Sequence, residues 1–452
     1  MRIQLHFNNC ADHNISVKMS VLVIVSIALI LTLYLLIKKH HNYWISRGFA
    51  SAPAIFPIGS IKDVGTKISL LEKFDDFYKD FKSTSPAVGI FFFMKPTLLV
   101  IDPVLIQHIF VKDFTSFHDR YVYYNKKEDP ISAHMLALDG AEWRERRVKL
   151  TPTFTSAKMK TIFEVVDDIG DRFVKAIDKE LQISNTLEMH ELLARFTTDI
   201  IGSVAFGIEC NCLENPNTDF RKFGKKSCHL DALGMFKFMF TSMFPDFSRK
   251  LGIPLHSRDV IDFFVSTFLQ TIEYREKTNI KRNDFVQLLL GLKESSMLTN
   301  LELAAEGFIF YIGGFETSSS LLTFLLYEMA LNPDIQDRLR DEIKSALDAN
   351  SGKLTYDMLA ELKYLDMVIN ETLRKFPPVF FLTRRSNKDF IVPETKLIIP
   401  KGTHINIPVF SLHRDPEYYP DPEKFDPERF TQDNIKARKP CTFMAFGKLF
   451  EV

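Results

Sequence analysis

The chain is poor in cysteine, with 5 in 452 residues. Cys10, Cys210, Cys212, Cys228 and Cys441 make no C-x-x-C pair and no zinc-type spacing. A disulfide framework and a zinc module are thereby excluded, and the body of the chain suits a reducing compartment. An excess of either charge is also lacking, since lysine plus arginine and aspartate plus glutamate number 57 each. A global basic surface for nucleic acid is therefore absent, although local basic patches remain. There are no internal repeats and no low-complexity tracts. What the chain does have is apolar bulk: 46% of residues, with 42 phenylalanines. That composition supports a large packed core. It suits a Phe-rich interior and a pocket for lipophilic ligands equally well.

Charge is missing altogether from residues 19–37, MSVLVIVSIALILTLYLLI. As a helix this run reaches roughly 28 Å, close to the hydrocarbon thickness of a bilayer. Lys38, Lys39, His40 and His41 follow, then Tyr43 and Trp44, an aromatic pair suited to a membrane interface. A cleaved signal peptide is the competing reading. The long run, the basic flank on its C-terminal side and the lack of a small-residue cleavage site favour a retained single anchor. Lys38, Lys39 and Arg47 outweigh Arg2 and Lys18, so the large C-terminal part is expected on the cytosolic side. Residues 1–18 are expected to be a polar N-terminal extension, with Met19 as an alternative start.

Residues 38–60 read as a basic flank and proline hinge, in which Pro53 and Pro57 favour extended chain. VGIFFFMKPTLLVID then reads as a hairpin turning at Lys95-Pro96. From Gln107 to Lys375 the pattern is mainly helical. FIVPETKLIIPKGTHINIPVF is strand-like, and HRDPEYYPDPEKFDPERF is a proline-rich loop. The expected fold is mainly α with a small β part, in one large domain over residues 61–447 behind the anchor.

Three stretches carry candidate chemistry. TNLELAAEGFIFYIGGFETSSSLLTFLLYEMALNP reads as one long helix, opened by a Thr299/Glu302 capping box and ended at Asn332-Pro333. Its polar middle, Glu316 with Thr317 to Ser320, argues for a core helix and against a second membrane span. Gly313 and Gly314 each cost a helix roughly 1 kcal/mol relative to alanine. Either a flat ligand or another backbone comes close there, with Glu316 and Thr317 placed to relay protons, or the helix kinks and its hydroxyls bond back to carbonyls. In LKYLDMVINETLRKFPP, Glu371 and Arg374 sit opposite an apolar stripe of Leu365, Val368, Ile369, Leu373 and Phe376. Residue physics alone reads them as an exposed ion pair worth a few tenths of a kcal/mol. GAEWRERRVKLTPTF puts Trp143 and Arg147 on one helix face, amid a basic patch of Arg144, Arg146 and Lys149.

In this order, GGFETS, ETLR, PERF and WRERR, behind an anchor and a proline hinge, resemble the cytochrome P450 family of haem-thiolate monooxygenases, most of all insect microsomal members. The similarity runs from the anchor to Gly447. The resemblance implies haem as cofactor, electrons from NADPH through a reductase, a lipophilic substrate, and an endoplasmic reticulum membrane location. It implies that Glu371, Arg374 and Arg429 form a buried triad, which replaces the exposed-pair reading. Thr317 with Glu316 would steer protons, and Gly313 and Gly314 would leave room for haem and substrate. Trp143, Arg147 and Arg384 would hold the propionates. Arg144, Arg146 and Lys149 would help dock an acidic reductase. Residues 235–247, MFKFMFTSMFPDF, would lie near the substrate entrance and the bilayer, or else form a plain core segment.

The family's ligand loop reads F-G-x-G-x-R-x-C. Here Phe446-Gly447 is followed by Lys448, Leu449, Phe450, Glu451 and Val452, with Leu449 at the glycine position and Glu451 at the arginine position. The register of the cysteine falls past Val452, and Cys441 precedes the loop. The expectation is a divergent tail over 448–452 that lacks the axial thiolate, so no metal ligand is assigned, together with loss of the following helix and terminal strands. Two functions follow as expectations. One is a microsomal monooxygenase, impaired in this chain. The other is a non-catalytic truncated isoform or unstable product that at most binds reductase or lipophilic ligands.

Overall fold

A computed structural model describes residues 2–229, 231–280, 282, 284–294 and 298–446. Gly447 and the tail expected at 448–452 lie outside the described residues. The chain is mostly helical with a small β part, and it divides into two compact units. The first comprises Met1–Asp102 with Ile391–Ile399, and the second Pro103–Phe390 with Pro400–Val452.

In the first unit one helix, Arg2–His41, runs through both the polar extension and the apolar run. Within it Val21–His41 is long and apolar enough to cross a membrane, and its apolar side chains are exposed. Trp44, the aromatic expected at an interface, is instead fully buried and donates from Nε1 to the carbonyl of Ile90 at 3.2 Å. A Cβ on Gly89 would lie 2.0 Å from the Trp44 ring, so only glycine fits the strand there. Ala87–Phe92 and Lys95–Val100 form an antiparallel hairpin, with Ala50–Ser51 added in parallel. The turn falls at Phe93-Met94, with Phe93 at φ +55°, and not at Lys95-Pro96. The register buries both apolar runs together, from Ala87 to Phe91 and from Leu98 to Val100, and this leaves Phe93 and Met94 to turn.

The second unit is built around the helix Asn300–Leu331. Thr299 and Glu302 close a reciprocal capping box at its start, and the next helix begins at Pro333. By length and composition this helix too is apolar enough to cross a membrane. It is nevertheless a core helix. Leu303, Ala304, Phe308, Tyr311 and Phe315 are buried among Phe206, Phe220, Phe264 and Phe268 in a phenylalanine-rich core. Its buried acids, Glu306 and Glu328, are each ion-paired. The neighbouring helix Met189–Ile201 is pinned to it by Thr197, whose hydroxyl donates to the Phe315 carbonyl at 3.0 Å. Leu382–Arg385 and His404–Ile407 pair antiparallel in this unit, with Arg384 opposite Ile405.

Candidate functional site

The central helix presents one open face. An added Cβ at Gly313 would meet nothing within 4 Å, and one turn on, Thr317 is only partly buried. Thr317 Oγ1 donates to the Gly313 carbonyl at 2.5 Å, the back-bonding available to a mid-helix hydroxyl. Gly314 serves a different purpose. A Cβ there would lie 2.6 Å from Ile201 Cδ1, so its bareness lets the neighbouring helix approach. Glu316 is partly exposed, and its Oε1 lies 3.9 Å from His190 Nε2 on that same neighbour.

A second group is three arginines, Arg120, Arg147 and Arg384. Strand alternation directs Arg385 to Asp119, at 2.7 Å, and Arg384 to the other face. Arg384 is 9% exposed and lies 4.3 Å over the ring of Phe110. Its Nη1 donates to the Thr383 carbonyl, but its buried Nε has no partner. Burial, and then the charge of Arg120, hold its pKa down to about 9. Burial and the nearby Arg147 likewise lower that of Arg120, against the opposite pull of Asp139, and its guanidinium lies 5.9 Å from the Trp143 ring. Trp143 stacks on His118 at 6.0 Å, and Asn387 holds that imidazole. Among the described residues, Arg120, Arg147 and Arg384 make no ion pair. Crowded, partly desolvated cations of this kind are costly unless an anion joins them. By their chemistry these cations, with the unpartnered Arg384 Nε, fit the propionates of a haem. Sequence reasoning missed Arg120 because it sits in an unpatterned loop. Asp119 places it by accepting hydrogen bonds from Gly140 N and Arg385 Nη2, each at 2.7 Å.

Glu371 and Arg374 are fully buried, which overturns the exposed-pair reading from residue physics. Arg374 donates to the carboxylate through Nε at 2.7 Å and Nη2 at 2.8 Å. It also donates to the His413 carbonyl at 2.9 Å, and Asp426 N donates to Glu371 at 2.9 Å. Arg429 comes to 3.5 Å from Glu371 as an ion pair, without a hydrogen bond from its Nε, and its Nη2 donates to Asp421. His413 accepts from Met444 N at 2.8 Å, which ties the chain just before Phe446 to this network. Burial and Arg374 push the His413 imidazole down to about 3, so it is neutral. Cys441 is buried in a left-handed turn at φ +63°.

The basic patch is divided by the fold. Arg144 is exposed, and Lys149 pairs with Glu145. Arg146 is buried between Glu302 and Glu306 and is not part of a docking surface. Sequence alone could not separate the three, because helical phase next to the central helix decides which one turns inward. Residues 235–247 are not a plain core segment: Met235, Phe236, Phe238 and Phe247 are exposed on the helices Ala232–Met243 and Pro245–Lys250.

Comparison with known proteins shows the family. The family model described as Cytochrome P450 matches residues 51–448. Cytochrome P450 6A1 of Musca domestica is 43% identical over 422 residues, covering 91% of this chain and 83% of the relative. Probable cytochrome P450 6a13 of Drosophila melanogaster is 42% identical over 423 residues, covering 92% and 85%. Cytochrome P450 6a2 of the same fly is 41% identical over 445 residues, covering 95% and 88%.

Proposed function

The chain belongs to the cytochrome P450 family, and on that basis we propose that it is a membrane-anchored, haem-dependent monooxygenase of lipophilic substrates, with electrons passed from NADPH by a reductase. The observation that carries the haem reading is the group of buried or half-buried arginines, Arg120 beside Trp143, Arg147 close to Arg120, and Arg384 with an unpartnered Nε. When bound, a haem would supply the dioxygen activation.

The residues of the chain supply the rest. Arg120, Arg147 and Arg384 neutralise the two propionates, and Trp143 closes the cradle. Gly313 leaves room for a flat ring against the central helix. Thr317 Oγ1, relaying from the Glu316 carboxylate, holds and passes a proton on that open face. Glu371, Arg374 and Arg429 fix the segment leading to Phe446. The apolar Val21–His41 helix is the anchor, and its basic flank keeps the body on the cytosolic side of the endoplasmic reticulum. The exposed Phe236 and Phe247 give lipophilic substrate an apolar approach.

A second reading is a chain that binds reductase or lipophilic ligands without turning them over. It is favoured by Leu449 and Glu451, which stand where the family pattern has glycine and arginine. Reconstitution with reductase, NADPH, isotopically heavy dioxygen and a panel of lipophilic hydrocarbons tests both. Product carrying one heavy oxygen atom supports the monooxygenase. Ligand binding with no labelled product supports the second reading.

A further inference from the structure

Arg146 is 6% exposed, and both ends of its guanidinium are engaged by the central helix. Nη1 donates to Glu306 Oε1 at 2.8 Å, and Nη2 to Glu302 Oε1 at 2.7 Å. Glu306 has no exposure and also accepts from Met135 N at 3.0 Å. Burial pushes its carboxyl up to about 7, against the pull of Arg146. A buried pair of this kind is weak evidence for net stability, because desolvation of the charges offsets their attraction. What it enforces is register. Glu302 and Glu306 are one turn apart on one helix and grip one cation from another. Sliding either helix by a turn would strand a buried charge.

Arg146 adjoins Arg147 and lies one turn from Trp143, and both of those belong to the cradle. Arg120, Arg147 and Arg384 repel one another, so the cradle needs something other than its own contacts to hold Arg147 in place. We propose that Arg146 is a positioning residue: its grip by Glu302 and Glu306 holds the Gly140–Leu150 helix so that Trp143 and Arg147 meet the carboxylates of a bound porphyrin. The inference rests on the haem reading of the cradle.

The test uses the full chain with metal-free protoporphyrin IX, which carries two carboxylates, and with its dimethyl ester, which carries none. Neither needs an axial ligand. Fluorescence titration of the wild type is expected to give tighter binding of the diacid. Arg146→Met is expected to weaken the diacid about tenfold, the size of one misplaced charged contact, and the ester less than about twofold. Arg146→Lys is expected to recover most of the loss. Should Arg146→Met not fold, Arg146→Met/Glu306→Gln removes the stranded carboxylate and is held to the same outcomes. Equal weakening of both porphyrins, or of neither, would overturn the positioning role alone. A wild type that does not prefer the diacid would overturn the cradle itself, and the inference with it.

Discussion

Glu371 and Arg374 meet through two parallel hydrogen bonds, 2.7 and 2.8 Å long, with neither side chain exposed to solvent. Three residues apart on one helix, they are joined by other contacts: His413 O, Lys424 O, Asp426 N and, at 3.5 Å, Arg429. Removing one partner leaves a buried charge uncompensated. Glu371→Ala or Arg374→Ala is expected to lose about 3–5 kcal/mol in urea unfolding. Glu371→Leu/Arg374→Met should recover only part of that, because His413 O and Asp426 N still lose their partner.

The adjacent glycines should part company on substitution. Gly313→Ala is expected to raise stability by up to about 1 kcal/mol, the helix propensity gained in open space, and to weaken porphyrin binding. Gly314→Ala presses on Ile201, and overpacking of about 1–3 kcal/mol outweighs the same gain. Thermal melts separate the two, and Ile201→Val should relieve only the second.

His413 sets a pH dependence. Its folded pKa, about 3, lies below the unfolded value of 6.5, so the unfolded chain binds the extra proton. Stability is therefore full above pH 6.5 and falls as pH drops from there toward 3, by about 1.4 kcal/mol per pH unit for each such group. His134, lowered to about 3 mainly by burial, adds a second group with the same sign. His413→Asn should start less stable at pH 7 and show a slope flatter by one proton, read by urea unfolding across that window.

The apolar helix predicts membrane retention. Leu29→Arg/Ile30→Arg puts two charges mid-span, each costing about 2.5–3.5 kcal/mol at a bilayer centre. Alkaline extraction should then release the variant and leave the wild type in the pellet.

Much of this architecture was legible in the sequence. The N-terminal apolar helix is a charge-free run, and the central helix announced both ends through Thr299/Glu302 and Asn332-Pro333. Local chemistry settled those. What was not legible depended on which side a residue turns. Glu371 and Arg374 look exposed by periodicity and are buried, because the segment carrying His413 and Asp426 covers them. Arg146 looked like one of three surface cations until the central helix supplied Glu302 and Glu306. Gly313 and Gly314 looked alike, but only the second meets a neighbour. Arg120 gave no signal at all, since loop geometry set by Asp119 brings it to Trp143.

The central claim is that the cradle holds a haem that works in oxygen chemistry. Its most direct test is the carbon monoxide difference spectrum of the reduced, full-length chain expressed with haem supply. The account predicts stoichiometric haem uptake that falls in Arg120→Ala/Arg147→Ala, and a carbon monoxide difference band from the iron of the bound haem. A wild type that takes up no haem, or whose haem gives no carbon monoxide difference band, would contradict it.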